Sequence, residues 1–132
     1  MSTFLDTSAL LALVDEEDAR HPTATQAWGN LRQSEEALVT SNYVIVEALA
    51  VCQRRFGLEA IRSLARDFLP ALEVLWVDEE VHGRGMGVLL IANQRRLSLI
   101  DCTSFVLMRR LGIRRAFTLD EHFREQGFEV VP

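Results

Sequence analysis

Thr3-Phe4-Leu5-Asp6-Thr7-Ser8-Ala9-Leu10-Leu11-Ala12-Leu13-Val14 begins as a short strand-like run, turns at an aspartate and goes on as an apolar run of helical type. The same succession recurs down the chain. Ala37–Thr40 reads as a strand, and Ser41 is placed to cap a long helix that ends before Gly57. A further helix spans about Leu58–Phe68 and halts near Pro70. Val74–Val77 is a third strand, and Asp78-Glu79-Glu80 makes an acidic start for a helix reaching Arg95. Asp101 then precedes a helix over Cys102–Leu111, which Gly112 terminates. Ala116–Leu119 is a fourth strand, Asp120 opens a short helix, and Phe128–Val131 closes the chain as a fifth. Between the first helix and the second strand, Asp15–Asp18 reads as a solvated turn, and His21-Pro22 starts a helix to about Arg32. Strands alternating with helices predict an α/β fold with a mainly parallel sheet and right-handed crossovers.

The 132 residues allow one domain, residues 1–132, with no repeat, linker or low-complexity segment. A 48% hydrophobic and 25% charged composition is that of an ordinary globular protein, which excludes a disordered tail. Cys52 and Cys102 are too few for a disulfide framework and lie in apolar stretches, so a reducing cytoplasm is the expected compartment. The longest apolar run, Ala9–Val14, is far short of the ~18 residues of a membrane span. No basic segment precedes it, against a signal peptide.

All 14 basic residues are arginine. The absence of lysine excludes a P-loop and any Schiff-base chemistry. The net charge of −5 at first argues against a nucleic-acid binder, which normally carries a basic footprint.

Four carboxylates stand out. Asp6, Asp101 and Asp120 each follow an apolar run and precede a helix, where a capping role and a functional role are compatible. In an open parallel sheet, functional groups collect beyond the carboxyl ends of the strands, where strand order reverses. Asp6 and Asp120 flank that point if the order is 3-2-1-4-5. Glu47 sits in Tyr43-Val44-Ile45-Val46-Glu47-Ala48-Leu49-Ala50-Val51, with no basic residue three or four positions away. Buried there, it needs a compensating arginine or cation from elsewhere. Carboxylates gathered without lysine make an all-oxygen site suited to Mg²⁺ or Mn²⁺. Two such ions clamp the attacking and leaving oxygens in phosphodiester cleavage. These four groups supply most of the net negative charge, so bound ions answer the charge objection. The doublets Arg54-Arg55, Arg95-Arg96, Arg109-Arg110 and Arg114-Arg115 are then free to meet phosphates or acidic partners.

Phe4-Leu5-Asp6-Thr7-Ser8, Thr40-Ser41-Asn42-Tyr43-Val44-Ile45-Val46-Glu47, Leu97-Ser98-Leu99-Ile100-Asp101-Cys102-Thr103-Ser104-Phe105 and Ala116-Phe117-Thr118-Leu119-Asp120-Glu121-His122-Phe123 together resemble a PIN domain. The nearest likeness is to the VapC-like toxin ribonucleases of bacterial toxin–antitoxin modules. It covers essentially the whole chain, in order and spacing. The resemblance implies an α/β/α sandwich with a five-stranded sheet of order 3-2-1-4-5. It implies RNA hydrolysis with one or two Mg²⁺ or Mn²⁺ ions, leaving a 5′-phosphate. A homodimer and a small antitoxin partner are implied as well. Asp6, Glu47, Asp101 and Asp120 fall on the family's acidic positions, with Asp6 and Asp101 as the principal metal ligands. Ser8 and Thr103 match its supporting hydroxyl positions.

One stretch departs from the pattern. His82-Gly83-Arg84-Gly85-Met86-Gly87 lacks the spacing of a dinucleotide fingerprint, and its glycines cost a helix ~1 kcal/mol each. Close helix packing and a local break both account for it. Phospho-aspartyl chemistry of the receiver type shares the size and the acidic strand ends, but receivers carry a lysine that this chain lacks. The remaining alternatives are a PIN-fold binding module without turnover and a PIN nuclease that is not a toxin.

Overall fold

A computed structural model describes all residues, 1–132. Five strands form one sheet: β1 (Ser2–Leu5), β2 (Ala37–Ser41), β3 (Glu73–Leu75), β4 (Arg115–Phe117) and β5 (Glu129–Val131). Their order is β3-β2-β1-β4-β5, as the family resemblance implies, and every pairing is parallel. The connecting helices are α1 (Thr7–Val14), α2 (His21–Gln33), α3 (Asn42–Arg55), α4 (Leu58–Ser63), α5 (Glu79–Ala92), α6 (Leu99–Leu111) and α7 (His122–Glu125). After α4 the chain continues through a wide turn, Leu64–Phe68, and a tight one, Leu69–Ala71, that contains Pro70. Right-handed crossovers put α1–α4 on one face and α5–α7 on the other. No helix is long and apolar enough to cross a membrane.

The sheet's middle strands carry the core because both of their faces are covered. Phe4, Leu5, Ala116 and Phe117 are fully buried. Phe105 of α6 meets Phe123 edge-on at 5.0 Å, and Phe123 stacks on Phe4 at 6.4 Å. This aromatic column fixes α6 and α7 against β1 and β4, the elements that supply the aspartates.

Several elements differ from the sequence reading; among them the helix expected over Leu58–Phe68 ends as α4 at Ser63, and the strand expected over Ala116–Leu119 ends at Phe117. The strand expected over Val74–Val77 ends at Leu75, since the Asn42 side chain takes over the backbone of Val77, accepting from its N–H at 2.6 Å. The helix expected to reach Arg95 stops at Ala92, where Asn93 adopts a left-handed conformation with φ of 51°. Asp101 does not precede its helix. It lies three residues inside α6, because Ser98 is the true cap: Ser98 Oγ accepts from the Asp101 N–H, and Asp101 Oδ2 accepts from the Ser98 N–H. That reciprocal pair is a capping box.

The glycine-rich stretch is helical throughout α5, with no break. A Cβ on Gly85 would stand 2.5 Å from Thr103 Cγ2 and 3.3 Å from the Thr103 backbone nitrogen, whereas Gly83 and Gly87 face open space. Thr103 is branched and stiff, so α5 and α6 touch at a point that only glycine permits. Gly85→Ala is therefore expected to lower the melting temperature through overpacking of about 1–3 kcal/mol. Gly83→Ala should raise it by removing a helix penalty of about 1 kcal/mol. Paired thermal melts check the opposite signs.

Candidate active site

Because β1 and β4 are neighbours that connect in opposite directions along the sheet, their carboxyl ends mark the point where strand order reverses. Asp6 leaves β1 there at the N-cap position of α1, yet its side chain makes no capping bond. Its Oδ2 instead accepts from Ser8 Oγ and Thr118 Oγ1, each at 3.0 Å. Those hydroxyls in turn accept from the backbone: Leu119 N–H donates to Ser8 Oγ at 2.9 Å and Asp120 N–H to Thr118 Oγ1 at 3.0 Å. Both hydroxyl protons are thus spent on one carboxylate oxygen, and the turn after β4 is tied to the turn after β1. Ser8, expected as a supporting hydroxyl, bonds Asp6 directly.

Thr118 was not singled out by sequence reasoning. Its signal is the alternation in Ala116-Phe117-Thr118, which sets a polar side chain at a strand end where a core residue would otherwise stand. Thr103, expected as a second supporting hydroxyl, turns elsewhere. Its Oγ1 donates to the Ile100 carbonyl of its own helix at 3.0 Å, and its methyl group meets Gly85.

Asp6 is 2% exposed and Asp101 8%. Burial pushes the Asp6 carboxyl up to about 6, with Asp101 adding to the rise and the Ser8, Thr7 and Thr118 hydrogen bonds opposing it. Burial also raises Asp101, opposed by its bonds to Ser98 and the nearby His122, while Asp120 adds to the rise. Asp6, Asp101 and Asp120 therefore share one electrostatic neighbourhood. Asp120 is exposed and lies two residues before α7 instead of opening it.

Glu47 does not join them by any hydrogen bond or ion pair. The expectation that it lies buried among apolar neighbours fails: Glu47 is half-buried, since Val46 and Ala50 on the same helix face solvent. A half-wet carboxylate keeps its hydration and needs no partner.

The donor set fits a hard cation. Two buried carboxylates repel one another and no guanidinium bonds Asp6, a negative charge that a divalent ion relieves. No three His, Cys, Asp or Glu side chains are arranged to hold an ion directly. One or two carboxylates are enough for Mg²⁺, which retains several waters.

A pH prediction follows from the raised Asp6. Its folded pKa exceeds the unfolded value of 3.8, so the folded state binds the proton more tightly. Its stabilising effect is complete below the unfolded pKa and is lost as pH rises through about 6. Metal-free wild type should gain roughly 1 kcal/mol between pH 7.5 and 5 from this group. Asp6→Asn should show a flatter profile in the same melts. The carboxyls of Asp18, Asp67 and Glu125, held low by hydrogen bonds from Arg20, Arg66 and Arg96, titrate below this window.

With this geometry in place, comparison with known proteins is informative. The PIN domain family profile matches residues 3–129, and the chain belongs to the PIN-domain family. It is 34% identical over 131 residues to the 23S rRNA-specific endonuclease VapC20 of Mycobacterium tuberculosis, covering 98% of each chain. The crystal structure of that protein, described as a sarcin-ricin loop cleaving toxin, superposes with a TM-score of 0.86 over 98% of this chain and 99% of the other. A VapC ribonuclease of Aquifex aeolicus is 24% identical, over 96% of this chain and 93% of its own. VapBC2 of Rickettsia felis, solved with a DNA fragment from its promoter, shares the fold at 14% identity and a TM-score of 0.68, over 98% of this chain and 97% of that one.

Proposed function

We propose that this chain is a divalent-metal-dependent endoribonuclease and the toxin of a toxin–antitoxin pair. The observation that carries the reading is the Asp6–Asp101 pair: two buried carboxylates that repel each other, neither bonded to a guanidinium, at the reversal point of a PIN fold, with Asp120 in the same electrostatic neighbourhood. Full-length similarity to VapC ribonucleases supports the substrate class.

In this reading Asp6 and Asp101 supply oxygens to Mg²⁺ or Mn²⁺. Ser8 and Thr118 hold Asp6 in one orientation, and the Ser98 capping box does the same for Asp101. Glu47 and Asp120 orient water or take part in a second metal position. The ion, when bound, polarises the phosphate and stabilises charge on the displaced oxygen. Water is the nucleophile, leaving a 5′-phosphate.

The partners are RNA, a small antitoxin and a second copy of the chain, and the compartment is the cytoplasm. Exposed Val46, Trp76, Met86 and Leu90 supply apolar surface that a homodimer would cover. Expression of the wild type without antitoxin should arrest growth, and Asp6→Asn should relieve it at equal soluble level. Harmless wild-type expression favours a PIN nuclease that is not a toxin, or a module without turnover.

A further inference from the structure

Past the carboxyl end of β2, a cavity of about 480 Å³ opens between two helices. Asn42, Tyr43 and Val46 of α3 form one wall, and Ser98, Leu99 and Ile100 at the start of α6 form the other. Both walls are anchored at the site. Ser98 N–H donates to Asp101 Oδ2 at 3.1 Å, and Ser98 Oγ accepts from the Asp101 N–H at 3.0 Å. On the other side, β2 runs beside β1 with Val39 opposite Phe4, and Thr40 Oγ1 donates to the Leu5 carbonyl at 2.8 Å. The chain therefore turns into α3 beside the point where Asp6 leaves β1.

The lining carries no charge, and its polar side chains are already engaged. Asn42 accepts from the Val77 N–H at 2.6 Å, and Ser98 is spent on Asp101. What remains is the Tyr43 ring with the side chains of Val46, Leu99 and Ile100. A phosphate finds no cation there. A flat ring with apolar faces finds a ring already in place. The Tyr43 hydroxyl is hydrogen-bonded to His82 Nδ1 at 2.5 Å, and the two rings meet edge-on at 6.0 Å. Tyr43 is thus held between α3 and α5 before any ligand arrives, so little side-chain freedom is lost on contact. Aromatic side chains are the platforms on which single-stranded RNA stacks its bases.

We propose that this cavity takes one nucleobase of the RNA, stacked on Tyr43, from a nucleotide next to the scissile phosphate. This rests on the nuclease reading and deepens it by naming a base subsite. An RNA whose phosphate lies at Asp101 carries the adjoining base, one ribose away, within reach of the wall that Ser98 forms. Val46, 65% exposed, also belongs to the apolar surface offered to a second copy of the chain. A protein segment lodged against Ser98, however, would stand in the way of RNA at Asp101.

Tyr43 is the only tyrosine of the chain, so 3-fluorotyrosine labelling gives a single fluorine resonance. The test uses the full chain carrying Asp101→Asn, which binds without cutting, in Mg²⁺. Its probe is an oligonucleotide that copies a cut mapped with the wild type on mixed RNAs. The resonance should shift on adding this RNA. With the nucleotides on the two sides of the cut made abasic one at a time, one of the two should leave it unshifted. In the cleaving chain, that abasic RNA should lower kcat/KM by about tenfold or more, the loss of one base–aromatic stack. Tyr43→Ala should cost as much on the intact RNA and lose nothing further on the abasic one. Tyr43→Phe, which keeps the ring and drops the His82 bond, should cut both as wild type does. The abasic comparison on wild type stands even where Tyr43→Ala fails to fold. A resonance indifferent to RNA, or one that moves only with protein concentration and so reports a second copy, overturns the proposal. So does an abasic penalty that is missing in wild type or persists in Tyr43→Ala. Each of these outcomes leaves the nuclease reading intact, whereas wild type that cuts none of the mixed RNAs removes both.

Discussion

Asp6→Asn and Asp101→Asn should each abolish Mn²⁺-dependent RNA cleavage, by at least about a hundredfold, while the protein stays folded. The size follows from losing one oriented charged group where negative charge builds up on the phosphate. An amide is a poor ligand for a hard cation. Folding survives because asparagine retains an acceptor oxygen. At position 6 it still receives the Ser8 and Thr118 hydroxyls, and at position 101 the Ser98 N–H. The measurement is cleavage of mixed RNAs in Mg²⁺ and in Mn²⁺, beside thermal melts of the same preparations. A variant cutting at near wild-type rate removes that residue from the machinery. Thr118→Val is informative beside them: it withdraws one hydroxyl from a buried carboxylate and leaves all four acids in place.

Much of the site was legible because its residues contradict their surroundings. Asp6 and Asp120 end apolar runs, and the alternation of strands and helices carries them to one edge of a parallel sheet. The strand order itself came with the family resemblance; residue alternation alone leaves it open. Asp101 was legible as an acid but not as a member of its helix, since Leu97-Ser98-Leu99-Ile100 reads as an apolar run ahead of the helix until Ser98 is recognised as a cap. The Ser98-x-x-Asp101 spacing contained that signal. Glu47 shows the opposite failure. A helix rich in Val, Ile, Leu and Ala looked apolar all round, yet one side of it faces solvent at Val46 and Ala50. Residue types do not say which part of an apolar helix the fold leaves uncovered. Gly85 also lay beyond sequence reading, because its reason is a contact with Thr103 across two helices.

The second large effect is a stability response to metal. In the metal-free chain Asp6 and Asp101 repel one another, so removing one charge by Asp101→Asn leaves stability unchanged or raises it. Divalent ions reverse the order. At a hundredfold excess over its dissociation constant, a ligand that binds only the folded state contributes about 2.7 kcal/mol. For a chain of this length that is roughly 10 °C in melting temperature. Asparagine at position 101 removes an ionised oxygen from the cation and should abolish most of this gain. Helix caps alone would show no such difference, since asparagine caps as well as aspartate.

The most direct test of the central claim is therefore a melting series of wild type and Asp101→Asn in chelator-stripped buffer, with and without millimolar Mn²⁺. The account predicts a large upward shift for wild type and little or none for the variant. Equal shifts in the two proteins would contradict it and take Asp101 out of the metal site.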